Sequence, residues 1–157
     1  VDDDDGGNIY IQAKSGEDGI VVHDDAEVGL YYDNSLKAYT TSTGFLVSGT
    51  VVATTNTDTS NTGTVTLDFQ ANQNFVLTLT GNVTLANPST EQVGQSGFII
   101  FIQDGTGSRT VTLNSDYETA GAAGLTLSTA ASSVDIVPYV VQSSGNILLG
   151  KPQLAFA

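Results

Sequence analysis

The sequence predicts an all-β protein, and three observations carry that expectation. Thr, Val, Gly and Asn are abundant; Thr and Val suit a pleated, half-buried surface, while Gly and Asn supply tight turns. No segment repeats apolar residues at i, i+3, i+4 and i+7 over three turns. Apolar residues come instead as short islets or as alternating runs, the patterns of strands. The nearest approach to a helix, Tyr117 to Ser133, is mostly Ala, Gly, Ser and Thr, so any helix there is short.

Residues 1–53 hold the islets: Ile9 to Ile11, Ile20 to Val22, Val28 to Tyr32, Ala38 to Tyr39, Phe45 to Val47 and Thr50 to Ala53. The separators are turn residues. Gly16, Asp18 and Gly19 make one turn, Asp33, Asn34 and Ser35 another, and Gly44 and Gly49 suit positions of positive φ. Strands this short, in so small a unit, cannot enclose their own apolar groups. The simplest cover is two further copies of the chain wrapped about a common axis, which makes this segment an intertwined homotrimeric fibre shaft. Most acidic residues fall at or before Asp58, against only Lys14 and Lys37 in the same span. Three copies concentrate that charge, so the carboxylates are expected to face solvent.

Residues 54–64, TTNTDTSNTGT from Thr54 to Thr64, lack a large apolar side chain and read as a linker. Residues 65–157 carry longer strands. Val65, Leu67 and Phe69 alternate with polar residues; Phe75, Leu77 and Leu79 repeat the alternation; Gly81 and Asn82 offer a hairpin turn before Val83 to Leu85. Phe98 to Ile102 is continuously apolar, as in a central strand covered on both faces, and the loop Asp104 to Ser108 closes it. Thr110 to Leu113, Leu125 to Leu127, Val134 to Val141 and Ile147 to Leu149 complete the set, with Pro138 requiring an edge or a bulge. Eight or so strands at such intervals predict a β-sandwich, jelly-roll-like C-terminal knob.

The composition excludes several classes. A chain of 157 residues makes one or at most two domains. Its net charge of −13, from 17 acidic and 4 basic residues, repels a phosphate backbone, so no nucleic-acid partner is expected. The longest apolar stretch, Phe98 to Ile102, is far shorter than a membrane span, and no membrane insertion is expected. With no Cys there is no disulfide, thiolate nucleophile or Cys-ligated zinc. The sequence opens on Val1 and Asp2 to Asp5 without a signal-peptide pattern, and is expected to be part of something longer.

Catalytic patterns are sought and not met, so no enzyme, catalytic residue, cofactor or metal is expected. The sole imidazole, His23, stands beside Asp24 and Asp25 and reads as a strand-end residue, the sharper alternative being an axial metal site shared by three copies. Oxygen-rich clusters at Asp2 to Asp5, or at Asp24, Asp25 and Glu27, suit a weak cation site but lack the spacing of a calcium loop. Two places are candidates for receptor binding. Asp104 and Arg109 flank a Gly-rich loop that could cradle an anion or a sugar hydroxyl, or simply turn the chain. Tyr117 and Glu118 lie in a loop-rich stretch, where an exposed Tyr stacks on a sugar and a packed Tyr does not.

A resemblance adds to these readings. AEVGLYYDNSLKAYTTSTGFLVSGT, Ala26 to Thr50, resembles a repeat of tail fibres and other appendage proteins of tailed bacteriophages, marine and cyanobacterial ones notably, with Leu30 to Ser35, Lys37, Thr40, Thr41, Thr43, Gly44, Val47 and Gly49 in register. GNIYIQAKSGEDGIVVHDDA is similar to the copy that precedes it. GQSGFIIFIQDGTGSRTVTLNSDY and VDIVPYVVQSSGNILLGKPQLAFA are similar to a C-terminal module of phage fibre proteins. The resemblance implies an elongated homotrimer ending in a knob that serves trimerisation, receptor contact or both.

The resulting expectation is a non-enzymatic tail fibre protein of the virion, an extracellular appendage that attaches to the host surface. Its partners are itself, other virion proteins, and a glycan or protein receptor on the host. The alternatives are a capsid or tail decoration fibre with a structural role, and a cellular surface filament or adhesin. A capsule-degrading spike fits less well, because such enzymes build their clefts on longer solenoids.

Overall fold

In the computed structural model, which describes residues 7–24 and 26–156, the chain divides after Val52 into two units. The first is an antiparallel meander of five strands, β1 (Ile9–Lys14), β2 (Glu17–Val22), β3 (Val28–Tyr32), β4 (Ser35–Thr41) and β5 (Gly44–Val47), paired in chain order. The short islets thus extend into full strands, except Thr50 to Ala53, which forms none. Between β3 and β4, Asp33 and Asn34 both hold positive φ, 50° and 57°, as the tightest hairpin turn requires. Asn34 also ties this turn to the one between β1 and β2: its Nδ2 donates to the Gly16 carbonyl at 2.9 Å, and its Oδ1 accepts from the Asp18 amide at 2.7 Å. Asp18 and Gly19, expected in that first turn, lie within β2.

Register decides what this meander can bury. Ile11, Ile20, Leu30, Ala38 and Val47 are successive partners across all five strands, so they share one face; Ile9, Val22 and Val28 form a second row on that same face. Tyr10, Val21, Gly29, Tyr39 and Leu46 line the opposite face. Apolar side chains therefore stand on both sides of a single sheet. Val21 and Ala38 are the only buried hydrophobic side chains among the described residues of this unit, while Leu30, on the middle strand, stays 40% exposed.

The second unit contains β6 (Thr55–Val65), β7 (Asn74–Leu85), β8 (Ser96–Gln103), β9 (Val111–Leu113), β10 (Tyr117–Thr119), β11 (Val134–Ser143), β12 (Asn146–Leu149) and β13 (Gln153–Phe156). Their order is β10-β12-β11-β8-β7-β6, with β13 beside β11 and β9 beside β7. The sheet is mixed: β7 runs parallel to β6, β8 and β9, and β10 runs parallel to β12. This differs from the expected jelly-roll-like sandwich, whose strands are antiparallel, because the segments after β6 and β7 return the chain to the same end of the sheet and do not turn back as hairpins.

Three other expectations are corrected here. The stretch expected as a linker, 54–64, is strand β6 almost throughout. It needs no apolar side chain because it is the edge strand, mostly exposed, and is held by backbone pairing to β7 and by the buried Asn61. The Asn61 Nδ2 donates to the carbonyls of Asp58 and Thr78, both at 3.1 Å. Gly81 and Asn82 make no hairpin; β7 passes straight through them. A Cβ on Gly81 would lie 2.2 Å from the Thr62 Oγ1, so this glycine permits the close approach of β6 beside its bulge. Leu125 to Leu127 forms no strand, although both leucines pack against the core.

Phe75, Leu77, Leu79, Ile99, Phe101, Val137, Tyr139 and Ile147 point to one side of the sheet and make the core with Leu67, Phe69, Leu85 and Val111. Phe69 meets Tyr139 edge-on, with ring centroids 5.3 Å apart. On that inner face Asp135 is 1% exposed, and its carboxylate accepts from the Ser128 amide and hydroxyl and from the Ala155 amide. β8 is central, between β7 and β11, but one face only is covered: Phe98, on the outer side, is 48% exposed. Pro138 sits inside β11 at the point where β13 has ended along one edge and β12 begins. Its carbonyl accepts from Gly150 at 2.8 Å on that edge, where its missing amide leaves no ladder bond broken. The segment after β10 makes only a 3₁₀ turn, Ala120–Ala122.

Candidate functional site

The four expected receptor-binding residues fall in two separate places. Asp104 and Arg109 close the turn after β8. The Asp104 Oδ1 accepts from the amides of Thr106 and Gly107, both at 2.9 Å, and the Arg109 guanidinium grips the same carboxylate through Nε and Nη2, the latter at 2.8 Å from Oδ2. Arg109 itself is fixed from below by the buried Gln103, whose Oε1 accepts from the Arg109 amide at 2.8 Å and whose Nε2 donates to its carbonyl at 2.9 Å. The guanidinium beside Asp104, with the Gly107 amide, holds that carboxyl down at about 2. Each charge is answered by the other, so the pair braces a turn and leaves no open anion cradle.

Tyr117 and Glu118 come from β10 and line a groove of about 690 Å³. Thr112, Asn114, Ser115 and Thr119 supply its polar groups, Leu113 and Leu125 its apolar ones. Tyr117 is no stacking platform: only 5% of it is exposed, and it belongs to the core. Its hydroxyl lacks a hydrogen-bond partner, and burial, then the negative charges of Asp116 and Glu91, push its ionisation upward. Glu118, its neighbour along the strand, points to the opposite side and is exposed.

Sequence reading missed the polar wall of this groove. Asn114 and Ser115 belong to no motif; they converge because the turn between β9 and β10 is pinned to the end of β7. Asn87 fixes that turn twice, donating from Nδ2 to the Ser115 Oγ at 2.8 Å and accepting the Asp116 amide at 3.1 Å. Glu91 was missed as well. Its carboxylate accepts from the Gly145 amide at 2.9 Å, which lowers its pKa and joins the loop before β8 to the turn between β11 and β12.

In the first unit, the His23 Nδ1 lies 3.2 Å from the Asn8 Nδ2, and its Nε2 3.8 Å from the Glu27 Oε1. Among the described residues no three His, Asp or Glu side chains gather as metal ligands. Asp2 to Asp5 and Asp25, also considered for a cation, lie outside the described residues.

Residues 60–146, more than half of the chain, match the family model described as "Putative phage tail fibre C-terminal domain". The chain belongs to this phage tail fibre family. The match runs from within β6 to the first residue of β12 and takes in the groove and the Asp104–Arg109 turn, all in the second unit. No curated protein and no solved structure matches the chain. Membership makes the tail fibre domain a structural component of a virion-associated appendage.

Proposed function

We propose that this tail fibre chain works as a homotrimer that attaches the virion to the host surface, without catalysis of its own. The observation that carries the reading is the exposure of both apolar faces of the five-stranded first unit. Ile11, Leu30 and Phe45 on one face, and Tyr10 and Leu46 on the other, are each 40% exposed or more in the single chain. Burying such a side chain fully is worth about 1.5 to 3 kcal/mol, and a patch of this kind marks a surface that another chain covers. Three copies winding about one axis supply that cover to each other. They also present three copies of the second unit together, so that weak receptor contacts add through effective concentration.

The groove beside β10 is the proposed receptor contact. Its wall of Thr112, Asn114, Ser115 and Glu118 offers hydroxyl, amide and carboxylate groups suited to the hydroxyls of a surface glycan or to the backbone of a protein receptor. Attachment is tested by competition: the chain, added in excess, should reduce adsorption of the phage that carries it, and Asn114→Trp, which fills the groove, should abolish that effect while leaving the mass in solution unchanged. Equal competition by Asn114→Trp would remove the groove from the account. Absence of any competition by the parent chain would leave the structural alternative, a decoration fibre.

A further inference from the structure

The core-facing side of the second-unit sheet is sealed, whereas its outer side carries a continuous apolar field. In register, Val76, Ile100 and Ile136 form one row across β7, β8 and β11; Phe98 pairs with Pro138 and Ile102 with Val134 to either side. Val140 extends the field to Leu148 of β12. Side chains one position along each strand are buried to 1% exposure or less at Phe75, Leu77, Ile99, Phe101 and Val137, yet Phe98 and Val140 are 48% and 40% exposed. The remaining outward positions of β7, β8 and β11 facing this field, Asn74, Thr78 and Ser96, are polar but uncharged.

We propose that this outer sheet face, centred on Ile100 and Ile136, seats a second copy of this chain. The inference rests on the shared-interior reading of the first unit and adds to it a named contact surface in the second. Charge selects the occupant. The chain carries a net −13, so copies repel over most of their surface, and a field with no ionisable side chain at its centre on Ile100 and Ile136, and with Glu118 only at its edge beside Leu148, is where they approach at least cost. Composition agrees: a broad field of Ile, Val, Phe and Pro with an uncharged centre and its charge at the rim is the make-up of a permanent interface between like subunits. At the centre of that field a host glycan meets only aliphatic and aromatic side chains, whereas the groove beside β10 offers it hydroxyl and amide groups. Copies already held together by their first units meet this face at high local concentration.

The chain contains no Cys, which permits a direct test. Single thiols are introduced in the full chain as Val140→Cys and Phe98→Cys on the face, and as Val93→Cys, 68% exposed in the loop before β8, as reference. Maleimide labelling rates are divided by those of the unfolded chain, and the mass of each variant is measured by light scattering. The proposal expects oligomers in which the Val140 and Phe98 thiols react at least about tenfold more slowly than the Val93 thiol, as protected sites do. Oligomers in which all three react alike overturn the face and leave the shared first unit standing. Monomers with free Val140 and Phe98 thiols overturn both. Having two thiol positions on the face keeps the result readable if one substitution disturbs the fold.

Discussion

Leu30 and Ala38 stand opposite each other across β3 and β4, on the same face of the first unit; Ala38 is 6% exposed and Leu30, on the middle strand, 40%. A leucine at the centre of a sheet normally has a second layer above it. Among the described residues of the first unit none supplies one for this row, and the proposed trimer is what would provide that layer.

Leu30 therefore reports on the cover directly. Truncating an exposed leucine changes stability by about 0.5 kcal/mol or less, whereas truncating one packed in a core costs about 2 to 5 kcal/mol. Leu30→Ala is expected in the second range, with loss of oligomer on dilution. Denaturant unfolding at several protein concentrations, followed alongside sedimentation, distinguishes the two.

Acid acts on the turn after β8. Asp104 is held at about 2 in the folded chain, chiefly by the Arg109 guanidinium, against an ordinary value of 3.8. A carboxylate whose folded pKa is depressed contributes stability that is complete above the ordinary value and lost as pH falls from there through about 2. Glu91, lowered by the Gly145 amide, acts in the same direction. Thermal midpoints recorded between pH 6 and pH 2 should fall toward the acid end, and fall less steeply in Asp104→Asn. Parallel curves for the two proteins would show that the pair contributes nothing.

The same turn depends on one glycine and not on its neighbour. Gly107 holds φ at 74°, and a Cβ there would lie 2.4 Å from the Thr129 carbonyl oxygen, a backbone atom with nowhere to go. Gly105 has open space around it and no such angle. Gly107→Ala should cost about 2 to 4 kcal/mol, combining left-handed strain with a backbone clash. Gly105→Ala should stay within about 0.5 kcal/mol. Equal effects of the two substitutions in urea unfolding would contradict the geometry.

Much of the fold was legible in the sequence because burial writes itself as alternation. Phe75, Leu77 and Leu79 announced the inner face of β7, and the Asp33–Asn34 turn announced a hairpin. Strand β6 was hidden because an edge strand of Thr, Ser and Asn buries almost nothing and is held by backbone bonds that leave no apolar trace. The parallel order of β6, β7 and β8 was hidden because pairing partners are chosen across the fold, and Gly81 serves a close approach as readily as a turn. At the site, Glu118 and Tyr117 were found on the groove, but adjacent residues of a strand face opposite ways, which puts the Tyr in the core. Asn114 and Ser115 could be recognised only once Asn87 was seen to hold their turn.

The most direct measurement is the mass of the full chain in dilute solution by sedimentation equilibrium, before and after heating through its unfolding transition. The account predicts three chains per particle before heating and single chains afterwards, with the transition rising in temperature as protein concentration rises. A folded single chain with a concentration-independent transition would contradict it.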